Sequence, residues 1–348
     1  MARKYDVTAI GELLVDFTDS GVSQQGNRLM EANPGGAPCN VLAMLSNLGF
    51  NTAFIGKVGD DMFGRMLRDN AKEAGIDVSG LRLDAGYNTT LAFVQKKENG
   101  DRDFAFYRKE GADLMIDEDE IDEEIIKESK VMHFGTLSMS GPKAKAATKK
   151  AIAIAKEAGC LISFDPNYRP PLWDSKEDAI EQIKWGLSVC DVLKISDNEI
   201  ELVTGQTDYE KGARMIKDEY NIPIVFATLG LDGSMVLCGD SVVKVPAFLN
   251  KATVETTGAG DTFMGCVIGY ILRMAGVAGA VASGASGMVG YTREWNREQA
   301  LIDMDEFHLS DMLTYANAAA SIITTRKGAM MVMPTRDEIT VFIINHLE

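Results

Sequence analysis

The chain has 348 residues, 46% hydrophobic and 25% charged, the composition of a folded globular protein and longer than a single core usually grows. Its formal net charge of −16 argues against nucleic acid or an anionic membrane surface as partner, but not against a nucleotide, because local donors can hold phosphate inside an acidic protein. Five scattered cysteines with no CxxC pair read as reduced thiols of a cytoplasmic protein, and three histidines, none near a cysteine, make a zinc site improbable.

Residues 5–11 read as a buried strand ending at glycine. Asp6, Glu12 and Asp16 break the apolar N-terminus, so it does not have the pattern of a signal peptide. No run approaches eighteen apolar residues, and no membrane span is expected. Gly35-Gly36-Ala37-Pro38 is a turn, with Pro38 suited to the first turn of a helix over 39–48. A strand at 52–58 and a helix stopping near Gly75 follow. Residues 91–97 and 102–108 alternate apolar and polar around Asn99-Gly100, which predicts a hairpin with one wet face, outside the main sheet. The acidic segment 117–128 reads as a solvated helix face, not a metal site.

Short apolar runs then recur at 131–134, 161–164 and 192–195, separated by helical patterns at 143–158 and 178–189. A helix at 209–220 precedes a further run at 224–229. This alternation implies right-handed crossovers and a parallel sheet covered by helices. Helices are expected at 263–274, 313–325 and 337–347, and residues 275–309 carry no clear signal. Ligands bind at the carboxyl ends of strands in such sheets. The residues there are 12–16, 135–136, 165–167, 196–199 and 230–233, rich in acids, amides and glycines.

The stretch Glu255-Thr256-Thr257-Gly258-Ala259-Gly260-Asp261-Thr262-Phe263 joins a strand-like run at 242–249 to an apolar helix. Bare backbone at a helix start exposes N–H groups that can hold an anion. An aspartate in that turn repels a resting phosphate, so a role is needed for it. Removing a proton from a hydroxyl that attacks the phosphate would be one. A phosphate-binding GxxxxGK[ST] loop, a dinucleotide GxGxxG fingerprint and a GxSxG elbow are all absent. Taken singly, the turns at 257–261, 35–40 and 165–171 could be plain caps and loops. Their occurrence in order, each at a predicted strand end, favours a site.

On Gly35-Gly36-Ala37-Pro38-Cys39-Asn40 with Gly56 and Gly59-Asp60-Asp61-x-Phe63-Gly64, and on Thr256 to Phe263, the chain resembles the ribokinase-like (PfkB-type) carbohydrate kinases over nearly its whole length. Residues 11–17, Phe106-Tyr107-Arg108 with Ala112-Asp113, and 164–173 are similar to fructokinases, and 2-keto-3-deoxygluconate kinases share part of the pattern. The resemblance implies an α/β fold: a three-layer α/β/α sandwich with a mostly parallel central sheet over 1–348, plus a small β-sheet lid from about 13–34 and 87–110. It implies transfer of the γ-phosphoryl group of MgATP to a sugar hydroxyl, with D-fructose first and 2-keto-3-deoxygluconate or ribose as alternatives.

By that resemblance Asp261 is the general base, and Gly258, Ala259, Gly260 and Asp261 form the anion hole. The sugar falls to Asp16, Gly35, Gly36, Asn40, Phe106, Arg108, Asp165, Asn167 and Arg169. The nucleotide falls to Lys194, Thr228, Gly230, Gly233, Gly260 and Asn317. Glu199 is assigned to Mg2+, indirectly, and Glu255, Thr257 and Gly328 to K+ in those members that bind it. Two departures stand out: Ser196 replaces the Asn of an Asn-x-x-Glu motif, and Glu255 stands where many relatives have Asp. A homodimer through the lid is expected. A non-catalytic sugar or nucleotide sensor is the rival from another class, disfavoured by the presence of Asp261. A dehydrogenase is disfavoured by the missing fingerprint.

Overall fold

The run YDVTAI forms a strand with all six residues buried, because helices cover both of its faces. The computed structural model to which it belongs describes residues 3–96, 102–275 and 304–347. In chain order the strands are β1 (Tyr5–Ile10), β2 (Leu14–Val22), β3 (Arg28–Gly35), β4 (Thr52–Gly59), β5 (Ile76–Asp84), β6 (Leu91–Lys96), β7 (Arg102–Tyr107), β8 (Ser129–Gly135), β9 (Leu161–Asp165), β10 (Val192–Ser196), β11 (Ile224–Thr228), β12 (Ser234–Cys238) and β13 (Ser241–Val245). The α-helices are α1 (Ala37–Asn47), α2 (Met62–Glu73), α3 (Glu123–Lys127), α4 (Pro142–Glu157), α5 (Lys176–Leu187), α6 (Asp197–Thr204), α7 (Tyr209–Tyr220), α8 (Ala259–Met274), α9 (Glu306–Ile323) and α10 (Arg336–Leu347).

Nine strands make one sheet in the order β13-β12-β11-β10-β9-β8-β1-β4-β5. It is parallel except for β12 and β13, which close one edge as an antiparallel pair of hairpins. Successive side chains of a strand point to opposite faces, and the two cores follow from that. Ile224 and Phe226 of β11 join a core with α1, α8 and α9, while Val225 and Ala227 join one with α4, α5 and α7. The fold is therefore a three-layer ribokinase-like α/β/α sandwich. No helix among the described residues is long and apolar enough to cross a membrane.

Chain order reverses between β1 and β8, since β1 pairs β4 on one side and β8 on the other. That reversal opens a crevice beyond the carboxyl ends of the strands. The second sheet, β3-β2-β6-β7, stands over this end. The predicted alternating hairpin is its β6–β7 pair; the turn 98–101 lies outside the described residues. β2 and β3 carry no strand prediction of their own. Their charged residues, Asp16, Asp19, Arg28 and Glu31, dilute the apolar signal on a sheet with a wet face. The sheet is pinned by Phe17, which stacks on Phe93 with centroids 4.9 Å apart and meets Phe63 of α2 edge-on.

Two local details explain the glycines of the N-terminal signature. A Cβ at Gly64 would lie 1.9 Å from the Gly59 carbonyl oxygen, so α2 packs directly on the end of β4. Asp61 caps α2 through the N–H groups of Phe63 and Gly64 and also accepts from the backbone N–H and hydroxyl of Thr89. This half of the signature anchors the entrance to β6 instead of lining a ligand site. The acidic segment folds as a short 3-10 turn and α3. Its Glu120, with Asp84, holds the buried Lys57.

Candidate active site

Five strand ends converge on one cavity of about 340 Å³, placed where the crevice was expected. Glu12 follows β1, Leu137 follows β8, Asn167 follows β9, Ser196 ends β10 and Thr228 ends β11, and all of them line it. The second sheet contributes Leu14, Asp16, Thr18, Asn33, Val94 and Phe106 to the same cavity.

α8 begins here. Gly258 has φ 76°, the left-handed conformation that costs other residues energy. A Cβ at Gly258 would also stand 2.7 Å from Ala329 Cβ. The Thr262 N–H and hydroxyl both bond to the Gly258 carbonyl, fixing the turn. The N–H groups of Gly260 and Asp261 lie in the first helical turn, where no intrahelical acceptor exists. The Ala259 N–H turns back to the Thr256 carbonyl at 3.3 Å, which helps to shape the turn.

The Asp261 carboxylate accepts from Asn40 Nδ2 at 2.7 Å, which ties α8 to α1 across the cavity. Burial pushes its pKa up to about 6; Asn40 opposes that shift, Asp165 adds to it, and Lys194 and Arg169 oppose it. A carboxylate poised near neutral pH suits a base that accepts a proton and then releases it. Asn40 Oδ1 is buried without a protein partner. An orphaned buried acceptor costs free energy, so this atom calls for a ligand hydroxyl. Gly36, at φ 125° with its would-be Cβ 2.4 Å from the Glu12 carbonyl, lets the chain pass close to β1 before Pro38 enters the first turn of α1.

Asp16, Gly36, Asn40, Phe106, Asn167, Arg169, Lys194, Glu199, Thr228, Glu255, Thr257, Gly258, Gly260, Asp261 and Gly328 are brought together at the cavity. Gly35 is not among its lining residues: a Cβ there would lie 2.2 Å from Asp16 Oδ2, so its bareness makes room for that carboxylate. Arg108 is not among the lining residues either. It is 5% exposed and spends its guanidinium on Asp113, the Leu137 carbonyl and the Ser140 hydroxyl, away from the cavity. Asp165 likewise lies outside the lining: Oδ2 takes Lys194 Nζ at 2.7 Å and Oδ1 takes the Asn167 N–H. Asn317 is held by the Ser234 hydroxyl and the carbonyls of Val245 and Pro246, tying α9 to the hairpin edge. Gly230 and Gly233 lie past β11 in left-handed or extended-positive conformations, outside the cavity lining.

Ser196 proves to be an N-cap. Its hydroxyl accepts the Glu199 N–H, and Glu199 Oε2 accepts the Ser196 N–H, a reciprocal capping box that starts α6. Glu199 Oε1 accepts the Tyr168 N–H at 2.7 Å, so one carboxylate fastens the loop after β9 to the end of β10. Glu255 Oε1 accepts the Gly328 N–H at 2.8 Å, which brings two of the three residues assigned to K+ into contact.

Glu12 was passed over, although it stands at a strand end. It is 2% exposed, accepts the Ala37 N–H at 2.9 Å and lines the cavity. Burial raises its pKa to about 7 against the pull of Arg108. Asn33 was missed too; it reaches the cavity from β3, with its amide on the Thr18 hydroxyl. The signal for it was the alternation of β3, hidden by charged neighbours.

Comparison with known proteins places the chain in a family. The model of the pfkB family carbohydrate kinases matches residues 4–336. Probable fructokinase-2 of Arabidopsis thaliana is 37% identical over 339 residues, 97% of this chain and 95% of its own. Fructokinase-2 of Solanum lycopersicum is 37% identical over 334 residues, 95% and 94% of the two chains. Among solved structures, a fructokinase with bound ATP from Xylella fastidiosa aligns with a TM-score of 0.85 at 26% identity, covering 99% of both chains. A double mutant of the fructokinase from Vibrio cholerae O395, in a fructose, ADP and potassium ion bound form, aligns at 0.78 with 26% identity and 99% of both chains covered. By the match over residues 4–336 and the identity to these fructokinases over nearly the whole length, the chain belongs to the pfkB family of carbohydrate kinases.

Proposed function

We propose that this kinase transfers the γ-phosphoryl group of ATP to D-fructose, giving fructose 6-phosphate, with Asp261 as general base. The observation that carries this is the Asn40–Asp261 pair. One amide anchors the base through Nδ2 and leaves Oδ1 for a sugar hydroxyl. The sugar then lies among Asp16, Gly36, Asn40, Phe106, Asn167 and Arg169, between the two sheets. Its reacting hydroxyl gives its proton to Asp261 as the oxygen attacks phosphorus. The N–H groups of Gly260 and Asp261 take the charge that develops on the transferred group. The triphosphate extends past Lys194 and Thr228, with the adenosine end over Gly230 and Gly233. Names of the relatives point to fructose.

No group of three or more acidic, histidine or cysteine residues that could hold a metal occurs among the described residues. Glu199 already accepts two backbone N–H groups, so Mg2+ fits here only as an ion carried by the phosphates, with Glu199 facing it through water. Bound in that way it would neutralise the phosphate charge. Glu255, Thr257 and Gly328 offer hard oxygen donors at one end of the cavity, suited to K+. We place the protein in the cytoplasm, where its five free cysteines would stay reduced. We further propose a dimer through the second sheet, which exposes Val22, Leu29, Met30 and Tyr107. Sedimentation at micromolar concentration checks it, and a monomer alone rules it out.

The deciding experiment is a sugar panel with ATP and coupled detection of ADP. Fructose should be the best acceptor; no turnover of fructose beside good turnover of another sugar ends the reading. One observation favours a second acceptor class. The Arg169 guanidinium at the cavity would match the carboxylate of a sugar acid, so 2-keto-3-deoxygluconate belongs in the panel.

A further inference from the structure

Cations are scarce in this cavity. Glu12, Asp16, Glu199, Glu255 and Asp261 line it, against Lys194 and Arg169 among the described residues. Arg169 is exposed, whereas Lys194 is 6% exposed and rises from the buried strand β10. Its ammonium carries three donors. One goes to Asp165 Oδ2 at 2.7 Å, and no second acceptor engages it among the described residues. Two N–H donors on a nine-tenths-buried cation are thus left for whatever enters.

The position of that ammonium is shown by its neighbour. A methyl group built on Gly260 would stand 3.1 Å from Lys194 Nζ and 3.2 Å from Cε. Gly260 is not among the residues with positive φ, so the backbone conformation does not demand glycine there. A methyl there would crowd the lysine head, which lies against the first turn of α8. Burial alone would favour loss of its proton, but Asp165, Glu199 and Asp261 outweigh that and hold its pKa above the ordinary lysine value.

We infer that Lys194 is a catalytic residue, the ammonium that meets the phosphoryl group during transfer, and that Asp165 is the residue that positions it. The inference rests on the phosphotransferase reading above and deepens it from nucleotide contact to catalysis. In the step, the acceptor oxygen forms a bond to the γ-phosphorus while the bond from that phosphorus to the β–γ bridging oxygen breaks. The electron pair leaves with ADP, and the hydroxyl proton passes to Asp261. Negative charge shifts across the three equatorial oxygens beside Gly260, where Lys194 supplies two donors and a full positive charge. A group used most in the transition state raises kcat more than it lowers KM.

The test compares wild type with Lys194→Met and with the double variant Asp165→Asn/Lys194→Met. The single change leaves Asp165 buried and unpaired, so loss of folding is a risk. The double variant removes both charges and keeps the fold measurable by thermal melting. Turnover uses the sugar that the wild type phosphorylates fastest. Binding uses that sugar alone, ADP alone, and ADP with aluminium fluoride as a mimic of the transferred group. The inference expects the double variant to fold, to bind the sugar within about threefold of wild type, to lose kcat by about 100-fold or more, and to lose the extra tightness of the fluoride complex. A purely structural pair predicts recovery of kcat to within about threefold once the buried charge is neutralised, and that result overturns the inference. If the wild type itself phosphorylates no sugar, the proposed function fails first, and the two failures are thereby told apart.

Discussion

Two buried ion pairs, Arg108–Asp113 and Lys194–Asp165, use the same chemistry to opposite ends. Arg108 donates to Asp113 from Nε and Nη2 and places two further N–H groups on the Leu137 carbonyl and the Ser140 hydroxyl, four of its five donors, while Asp113 also takes the Thr90 hydroxyl. Every partner belongs to the protein, and the pair clamps the segments that enter and leave the β6–β7 hairpin. Among the described residues Lys194 has one hydrogen-bond partner and two donors to spare, beside the bare turn of α8. A buried charge whose donors are mostly taken by the protein holds structure. One that is left partly unsatisfied at a cavity is held ready for a ligand, because the unfilled bonds cost free energy until something completes them.

The contrast can be broken most severely at the group that both cavity charges serve. Asp261→Asn should lower kcat by two or more orders of magnitude, about the value of a positioned base, with the circular dichroism of the wild type retained. In the wild type, kcat/KM should climb with pH up to about 6 and then level, as Asp261 loses its proton. The sign for stability runs the other way. A carboxyl whose folded pKa is raised from 3.8 to about 6 takes up protons on folding between those values, so stability falls as pH rises through the window. Asp261→Asn escapes that cost: it should melt higher than wild type above pH 6 and equally below pH 4. A lower melting point for the variant at pH 7.5 would contradict the burial argument.

The next largest effect separates the two pairs directly. Arg108→Met leaves Asp113 buried without its cation and should cost roughly 3–5 kcal/mol of stability. The molecules that remain folded should keep kcat within about tenfold, since Arg108 does not line the cavity. Thermal melts beside active-site-normalised rates check this. Equal losses of kcat in Arg108→Met and in the neutralised Lys194 double variant would erase the distinction.

The smallest effect concerns Glu12. Its pKa is raised from 4.5 to about 7 by burial, so its charge weakens the fold progressively between those values and fully above them. Glu12→Gln keeps an acceptor for the Ala37 N–H and should raise the melting midpoint by about 1–3 °C at pH 8, with no gain below pH 4.5. A gain of the same size at both pH values would assign the effect to packing.

Much of the fold was legible because its signals are local. Six of the parallel strands of the main sheet, β1, β4 and β8 to β11, announced themselves as short apolar runs. Asn99-Gly100 between alternating runs placed β6 and β7 outside the main sheet. β2, β3, β5 and β12 were not legible: β2 and β3 carry charges on a wet face, β5 has Asp77, Arg82 and Asp84 along an edge strand, and β12 is five residues of a hairpin that follows Gly233 directly. Within the site, Gly258 and Gly36 could be read from the bare backbone their turns require, and Asp261 from its odd place among them.

What the sequence by itself determined is the set of turns at the strand ends and the residue types gathered there, since backbone conformation and periodicity act over a few neighbours. The pairing of charges was decided by the tertiary structure alone. Asp165 and Lys194 are 29 residues apart and meet because β9 and β10 lie side by side; Asn40 and Asp261 are 221 apart and meet because α1 packs on α8. Arg108 and Asp113 are only five apart, yet the burial that binds them comes from Leu137 and Ser140 beyond β8. Whether a charge is spent or available depends on every element packed around it, and that sum exists only in the folded chain.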